Sequence, residues 1–444
     1  PACWLAALAL HALLPAPRAT AATFPLRISD NARHLVDARG TPFLYQADTA
    51  WMLPLNLSVE EAREYFRVRA SQGFTAVQVM LTGFQGMTNL HGERPFEDNQ
   101  LSRPREAFFQ HTDAVFRTAL DEGLFLAVAP LWAGCCGEGW AGRTRDGKTA
   151  VINENGVEAT RDFGRWLGRR YAALPHLMWI LGGDNDPGPA REHYRALATA
   201  LKGAAPHQLL TFHAASSHSS TDVWPGEDWI DVSMIYTYFR GFNKAWNREQ
   251  PDVYEVAWEE HARRPARPFF LGESTYEGEH ADWGSALQAR KQAWWSLLAG
   301  GCGHAYGSPN WRAETGWRDG LQRPGALSLV HLRTLLESLR WWELLPERPG
   351  TLLTRGAGLI ASNDYAVAAR RADGHVALAY LPSHRTLEVD LGRLHPGEVR
   401  VRWFNPRDGT STAGGTRRAP GKSEFTPSGE GDWVLVLEHT ATLR

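Results

Sequence analysis

Leu177-Met178-Trp179-Ile180-Leu181-Gly182-Gly183-Asp184 and Pro268-Phe269-Phe270-Leu271-Gly272-Glu273 share one pattern: a short apolar run, then glycine, then a carboxylate. A continuous apolar run of this length reads as a strand covered on both faces, which is how strands of a parallel sheet look. Working outward, further runs of this kind end at Asp48, Leu81, Pro130, His213, Tyr236 and Tyr306. With the runs closing at Gly183 and Glu273, that makes eight. Helical stretches separate them. Ser58-Val59-Glu60-Glu61 forms a capping box opening a helix that Gly73 closes, and a helix over 112–122 stops at Gly123. Amphipathic spacing predicts others over 157–171, 190–202, 253–263, 285–298 and 327–342. Strands alternating with helices require crossover connections, so the expected fold is α/β, a (β/α)8 TIM barrel over residues 23–348. Its bottom is closed by a hairpin over 26–44 that turns at Asp37-Ala38-Arg39-Gly40. Near Pro349-Gly350 the rhythm stops. Short alternating strands follow, with turns at Ala372-Asp373-Gly374, Pro396-Gly397 and Asp408-Gly409, and predict a small C-terminal all-β sandwich over 349–444.

The chain has 444 residues, with 47 Lys and Arg against 49 Asp and Glu, a formal charge of -2. No basic field is present to hold nucleic acid. It carries 19 Trp and 11 Tyr, more than a core requires, and flat rings suit the apolar faces of sugars. Residues 1–22 read as a signal peptide: an apolar stretch, a proline break, then Ala19-Thr20-Ala21 as a cleavage site. That stretch is too short for a membrane anchor, which needs about 18 unbroken apolar residues, and no other segment reads as a membrane span. The expected location is secreted or periplasmic. Of the 4 Cys, Cys3 would leave with the leader. Cys135, Cys136 and Cys302 lack metal-ligand spacing, and their arrangement leaves open a disulfide from Cys302 to either member of the vicinal pair or buried free thiols.

In barrels of this type the reacting groups stand at the carboxyl ends of the strands. The polar residues there are few. Asp184 and Glu273 end strands four and seven, which face each other across the mouth, and glycoside cleavage needs two carboxylates. Either alone would serve equally well as an N-cap for the next helix; together they favour catalysis. Asp186 and Glu277 are the nearest rivals: Asp186 precedes Pro187 and suits a turn, and Glu277 is placed to bind substrate. Asp48, Trp51, Trp132, His213, Tyr236, His304 and Tyr306 complete the expected substrate-binding set, with ordinary core packing the competing reading for His213 and the two tryptophans. The polar loop 89–99, with His91, Glu93 and Asp98, is long enough to shape a cleft. No metal or organic cofactor is expected.

These stretches, together with Asp48-Thr49-Ala50-Trp51, Arg69-Ala70-Ser71-Gln72-Gly73-Phe74, Tyr276-Glu277-Gly278 and the glycine-rich run 299–307, make the chain resemble the apiosidase-like glycoside hydrolases. In that family the barrel is followed by a module named for collagen binding. Trp403-Phe404-Asn405-Pro406-Arg407-Asp408-Gly409 and Gly431-Asp432-Trp433-Val434-Leu435 resemble the ends of that module. The resemblance spans about residues 25–440 and implies that Asp184 is the acid and Glu273 its partner, acting on apiose linkages in plant pectin. Similarity to the wider clan of retaining barrel glycosidases implies Asp184 as acid/base and Glu273 as nucleophile. The expected partner is thus a polysaccharide or oligosaccharide substrate. A non-catalytic glycan- or matrix-binding protein is the competing class. A protease is disfavoured, because the chain lacks an H-E-x-x-H zinc signature and a Ser/His/Asp ordering on suitable turns.

Overall fold

A computed structural model describes residues 22–144, 146–238, 252–279 and 283–443. The signal-peptide reading falls on 1–22, nearly all of it outside the described residues. A two-residue strand, His218–Ser219, joins the nine-stranded central sheet antiparallel at one edge, and its other eight strands are parallel: β1 (Tyr45–Thr49), β2 (Ala76–Met80), β3 (Phe125–Ala129), β4 (Leu177–Gly182), β5 (Leu209–His213), β6 (Ser233–Tyr236), β7 (Phe269–Glu273) and β8 (Gly303–Tyr306). They run in the order β5-β4-β3-β2-β1-β8-β7-β6, and every strand residue is buried, as the unbroken apolar runs demand. Each expected strand lies within a residue or so of its place.

The ring closes between β5 and β6 without a regular ladder. Asp231 N donates to Leu210 O at 3.0 Å, and the Asp231 carboxylate accepts from Leu210 N at 2.7 Å. Ser220 Oγ then bridges the seam, donating to Phe212 O at 2.7 Å and accepting from Met234 N at 2.8 Å. A hydroxyl can do both, so one side chain stands in for missing ladder bonds.

Seven long helices surround the sheet: α1 (Val59–Ser71), α2 (Glu106–Asp121), α3 (Val151–Tyr171), α4 (Arg191–Ala204), α5 (Val253–Ala262), α6 (Ala286–Leu298) and α7 (Pro324–Ser338). Both halves of the Ser58/Glu61 capping box form. Three helices start earlier than predicted, among them α7, which opens at Pro324 and ends at Ser338. In α2 the buried Phe108 and Phe109 extend the apolar face backward, and in α3 a first turn precedes Gly156, whose φ of 83° interrupts the helix where the predicted one begins. The fifth crossover holds only the four-residue helix Ser220–Val223. At the bottom, the expected hairpin is a three-stranded sheet, Arg27–Ile28, Leu35–Val36 and Pro42–Phe43.

The C-terminal region contains a six-stranded and a three-stranded antiparallel sheet. The larger one orders as β9 (Leu344–Pro346), β11 (Val367–Arg371), β12 (Val376–Leu381), β17 (Trp433–His439), β14 (Gly397–Phe404) and β15 (Ser411–Ala419). The smaller one orders as β10 (Leu353–Arg355), β13 (Leu387–Asp390) and β16 (Lys422–Phe425). Strand periodicity distributes the large sheet between two cores. Val367, Ala369, Leu378, Tyr380, Val434 and Val436 join the barrel's core, whereas Ala368, Ala377, Ala379, Leu435 and Leu437 face the smaller sheet. No helix among the described residues is long and apolar enough to cross a membrane.

Candidate active site

Gly182 ends β4 and Gly183 and Asp184 follow it, with φ of 80°, 130° and 56°, a backbone path that L side chains rarely adopt. The turn is forced by crowding. A Cβ on Gly183 would lie 2.2 Å from the Trp132 ring, and one on Gly182 would lie 2.6 Å from His213 O. The glycines therefore let the indole of Trp132 rest on bare backbone while the chain turns Asp184 inward. Ala133 N and Gly134 N donate to Gly182 O and Gly183 O at 3.0 and 3.1 Å, which pins the loop after β3 to this turn.

One oxygen of Asp184, one of Glu273 and a ring nitrogen of His213 all lie within 4.8 Å of one another. The carboxylates closing strands four and seven thus converge. His213 is fully buried and joins them: Nε2 is 2.7 Å from Glu273 Oε2, and the backbone N–H of Asp184 donates to Nδ1 at 3.2 Å. Nδ1 also lies 3.1 Å from Ala214 O, while Nε2 faces a carboxylate that, when ionised, can only accept, so Nε2 carries a proton and donates to Glu273. Burial alone would lower the pKa of His213, but the hydrogen bond and charge of Glu273 outweigh it and raise the value. Burial first, then the negative charge of Glu273, push the Asp184 carboxyl up to about 7, with His213 partly opposing the shift. Two neighbouring acids, one proton-retaining and one hydrogen-bonded to an imidazole, are electrostatically distinct.

Rings wall this pair. Trp132 lies 4.8 Å from Trp51 and 5.0 Å from His213, and Tyr236 lies 4.8 Å from His213, all between centroids. Trp51 Nε1 donates to Tyr276 Oη at 3.0 Å, and Tyr236 Oη donates to Tyr238 Oη at 3.3 Å. Beneath, Gln78 Nε2 donates to Gly272 O at 2.9 Å, and behind, Gln292 Oε1 accepts from Ser274 Oγ and Thr275 N at 2.9 and 2.8 Å. Tyr238, Tyr276, Gln78 and Gln292 carry no sequence signal that marks them. Tyr238 and Tyr276 follow strand ends closely enough to be found by inspecting the next few residues as well as the last.

Of the expected set, Asp184, Glu273, Trp51, Trp132, His213 and Tyr236 come together. Asp48, Glu277, His304 and Tyr306 do not. Asp48 is fully buried and bonds to Tyr65 and to Arg69 Nε, the latter at 2.7 Å. Tyr306 Oη donates to Glu277 Oε2 at 2.5 Å, and Glu277 Oε1 accepts from Gly325 N at 2.9 Å. Asp48 pairs in register with Tyr306, as Gln46 does with His304, so all four share the outer face of β1 and β8 and look toward the helices. These residues pin α1 and α7 to the sheet instead of lining the mouth. His304 is buried there and its pKa falls to about 3 for that reason.

Asp186 accepts from Ala215 N at 3.0 Å and lies 3.0 Å from His218 Nδ1, tying two rim loops together. In the loop 89–99, Asn89 Oδ1 accepts from His91 N and Glu93 N, and the buried Phe96 packs edge-on against Trp140. Of the two readings left open for the cysteines, Cys302 follows the free-thiol one, and the vicinal pair follows neither. Cys135 and Cys136 are bonded to each other, and Cys302 is a buried free thiol. Cys302 opens the turn into β8, with its N–H on Phe269 O. The vicinal pair instead caps the rim beside Asp184, its amides donating to Glu138 at 3.1 and 2.9 Å.

Residues 29–343 match the family model described as "Apiosidase-like, catalytic domain", and residues 356–438 match "Putative collagen-binding domain of a collagenase". No curated protein matches significantly in sequence. Among solved structures, a protein titled "Glycoside hydrolase" is similar at 23% identity and a TM-score of 0.82, covering 94% of this chain and 97% of that one. A family 5 glycoside hydrolase from Bacteroides vulgatus is similar at 21% identity, with a TM-score of 0.82 and 94% of each chain covered. An exo-beta-1,4-mannosidase from Opitutaceae bacterium strain TAV5 is similar at 15% identity and 0.52, over 71% of this chain and 63% of that one. With the family model spanning most of the chain, this protein belongs to the apiosidase-like catalytic domain family and is a glycoside hydrolase.

Proposed function

We propose that the chain cleaves glycosidic bonds with retention, Asp184 serving as acid/base and Glu273 as nucleophile. The observation that carries this reading is the approach of the two carboxylates to within 4.8 Å among the rings of Trp51, Trp132 and Tyr236. Retaining enzymes hold their carboxyl groups about 5 to 5.5 Å apart, whereas inverting ones need about 6.5 to 9.5 Å to admit a water between. In the first step a Glu273 oxygen bonds to the anomeric carbon as the glycosidic C–O bond breaks, and Asp184 delivers its proton to the departing oxygen. In the second, Asp184 takes a proton from water, whose oxygen displaces Glu273. His213 donates to Glu273 throughout, orienting the carboxylate and lowering its need for solvent. Trp51, Trp132 and Tyr236 offer ring faces and a hydroxyl to the sugar.

The substrate in this reading is a plant or microbial polysaccharide, and apiose-bearing side chains of pectin are the first to try, a choice supported by the family's description. Export of the chain rests on residues 1–22 alone and is tested by N-terminal sequencing of the mature protein. For the reaction, Asp184→Asn and Glu273→Gln are assayed by reducing-sugar release from pectin fragments. Each is expected to lose about 10²–10⁴-fold or more in turnover while still binding the substrate. Proton NMR of the first-formed anomer should show retained configuration; an inverted product removes the nucleophile role of Glu273. A wild type inactive across a broad glycan panel yet retained on glycan columns would leave binding, not hydrolysis, as the activity.

A further inference from the structure

The C-terminal region holds a group of side chains that the glycosidase reading leaves unused. His375 opens β12, His395 stands in the turn between β13 and β14, and His439 ends β17, so three turns distant in sequence meet at one end of the large sheet. Ring centroids of His375 and His395 are 4.5 Å apart and nearly parallel; His439 lies 5.2 and 4.9 Å from them. One ring nitrogen from each lies within 4.8 Å of the other two. We propose that His375, His395 and His439 form a binding site for a divalent transition metal ion of the zinc or copper type.

The backbone holds the rings in place before any ion arrives. His439 N donates to His375 O at 2.8 Å, His395 N donates to Gly374 O at 3.0 Å, and His375 N donates to Asp373 Oδ1 at 2.9 Å. Two glycines clear the space. A Cβ on Gly374 would lie 2.6 Å from His395 N, and one on Gly397 would lie 2.4 Å from His439 Nε2, and both glycines have positive φ.

The ligand chemistry is specific. Imidazoles suit zinc, copper and nickel, whereas magnesium and calcium require oxygen. Three imidazoles with one nitrogen each converging supply the nitrogen donors that such an ion takes. Around one ion at about 2.0–2.1 Å the nitrogens would stand roughly 3.4 Å apart, so the rings must close by about 1.5 Å at most, a small side-chain rotation. Asp373 Oδ2, 3.4 Å from His375 Nδ1, is placed as the outer carboxylate that commonly orients a ligating histidine. Pro396 O lies 3.1 Å from His395 Nδ1 and 3.2 Å from His439 Nε2, while His439 Nδ1 accepts from Ala441 N at 3.2 Å. To ligate through Nε2, His439 exchanges its bond to Pro396 O for the ion and moves its proton to Nδ1, which then gives up the bond from Ala441 N. The ion would cross-link the last strand of the chain to two earlier turns.

The experiment uses the full-length, tag-free protein, stripped with chelator and titrated with zinc chloride, then with copper sulfate for electron paramagnetic resonance. One zinc per chain should bind, at least 10-fold more tightly than to the His375→Ala/His395→Ala double variant, and should raise the melting temperature reversibly on chelation. The copper spectrum should show nitrogen hyperfine structure. His395→Gln alone, at an exposed position, gives a second variant should the double one fold poorly. Equal zinc affinity in wild type and His395→Gln, or a copper spectrum with oxygen ligands only, overturns the proposal. Glycosidase turnover is expected to be the same with and without the ion, so failure here and failure of the hydrolase reading are separate results.

Discussion

Asp184 carries a stability cost that its neighbours impose. Its carboxyl is shifted up from 3.8 to about 7, by burial and then by Glu273. Between those two values the unfolded chain has released this proton and the folded chain still binds it. Folding stability therefore falls as pH rises through that window, and the cost is fully present above about 7. Asp184→Asn should accordingly melt higher than wild type at pH 8, by at least about 2 °C, with the difference vanishing near pH 4; calorimetry at both pH values checks it. The same shift has a kinetic face. An acid must be protonated to act, so kcat/KM should decline as pH rises through about 7, and a pH profile with activity undiminished at pH 9 would contradict the acid role. Gly183 supplies a third test. Alanine there meets Trp132 at 2.2 Å under a φ of 130°, so Gly183→Ala should lower kcat by about 100-fold while leaving far-ultraviolet circular dichroism unchanged.

At the scale of elements, the weak joint is the seam between β5 and β6. Seven neighbouring strand pairs share ladders, but here Ser220 and Asp231 substitute for one. Ser220→Ala should leave Met234 N and Phe212 O without a partner in a dry seam and cost about 1–3 kcal/mol, measured by urea denaturation. The seam is local, so the urea m-value should not change. Strand positions were legible because a strand buried on both faces must be apolar throughout. Which face each residue takes was less so. Asp48 and Tyr306 share the polar-after-apolar pattern of Asp184 and Glu273, but they lie on the outer face and bind helix residues. An uninterrupted apolar run hides its own phase, since both faces read alike.

For the whole molecule, the large C-terminal sheet lays one face on the barrel and shares its core, while its other face forms a second core with the smaller sheet. Trp294 of α6 stacks on Tyr380 at 5.7 Å and 10°, Trp295 Nε1 donates to Tyr365 O at 3.0 Å, and Lys291 Nζ donates to Asn363 O at 2.7 Å. Arg290, buried on the same helix, donates to both oxygens of Asp432 at 2.7 and 3.0 Å. Asp432→Ala removes one partner of a desolvated pair and should cost about 3–5 kcal/mol by thermal or chemical unfolding, far more than loss of an exposed pair. α6 also carries Gln292, which holds the loop after Glu273. The same variant is therefore expected to lower kcat more than it raises KM, which kinetics at a temperature well below melting will show.

The order and ends of the eight strands, the carboxylates at the fourth and seventh, and the change to short antiparallel strands near residue 349 were written in local patterns of apolar and turn residues. Local patterns suffice there because strand burial, helix capping and turn geometry act over a few residues. Tertiary structure alone decided that His213 bridges Asp184 and Glu273, that Asp48 and Glu277 serve the scaffold, that Cys135 bonds to Cys136, and that three histidines meet at the sandwich end. Apart from the vicinal cysteines, whose bond is set by the path of their own loop, each of these depends on which residues far apart in the chain are brought within a few ångströms, and that is set by packing of whole layers rather than by any residue's neighbours in sequence.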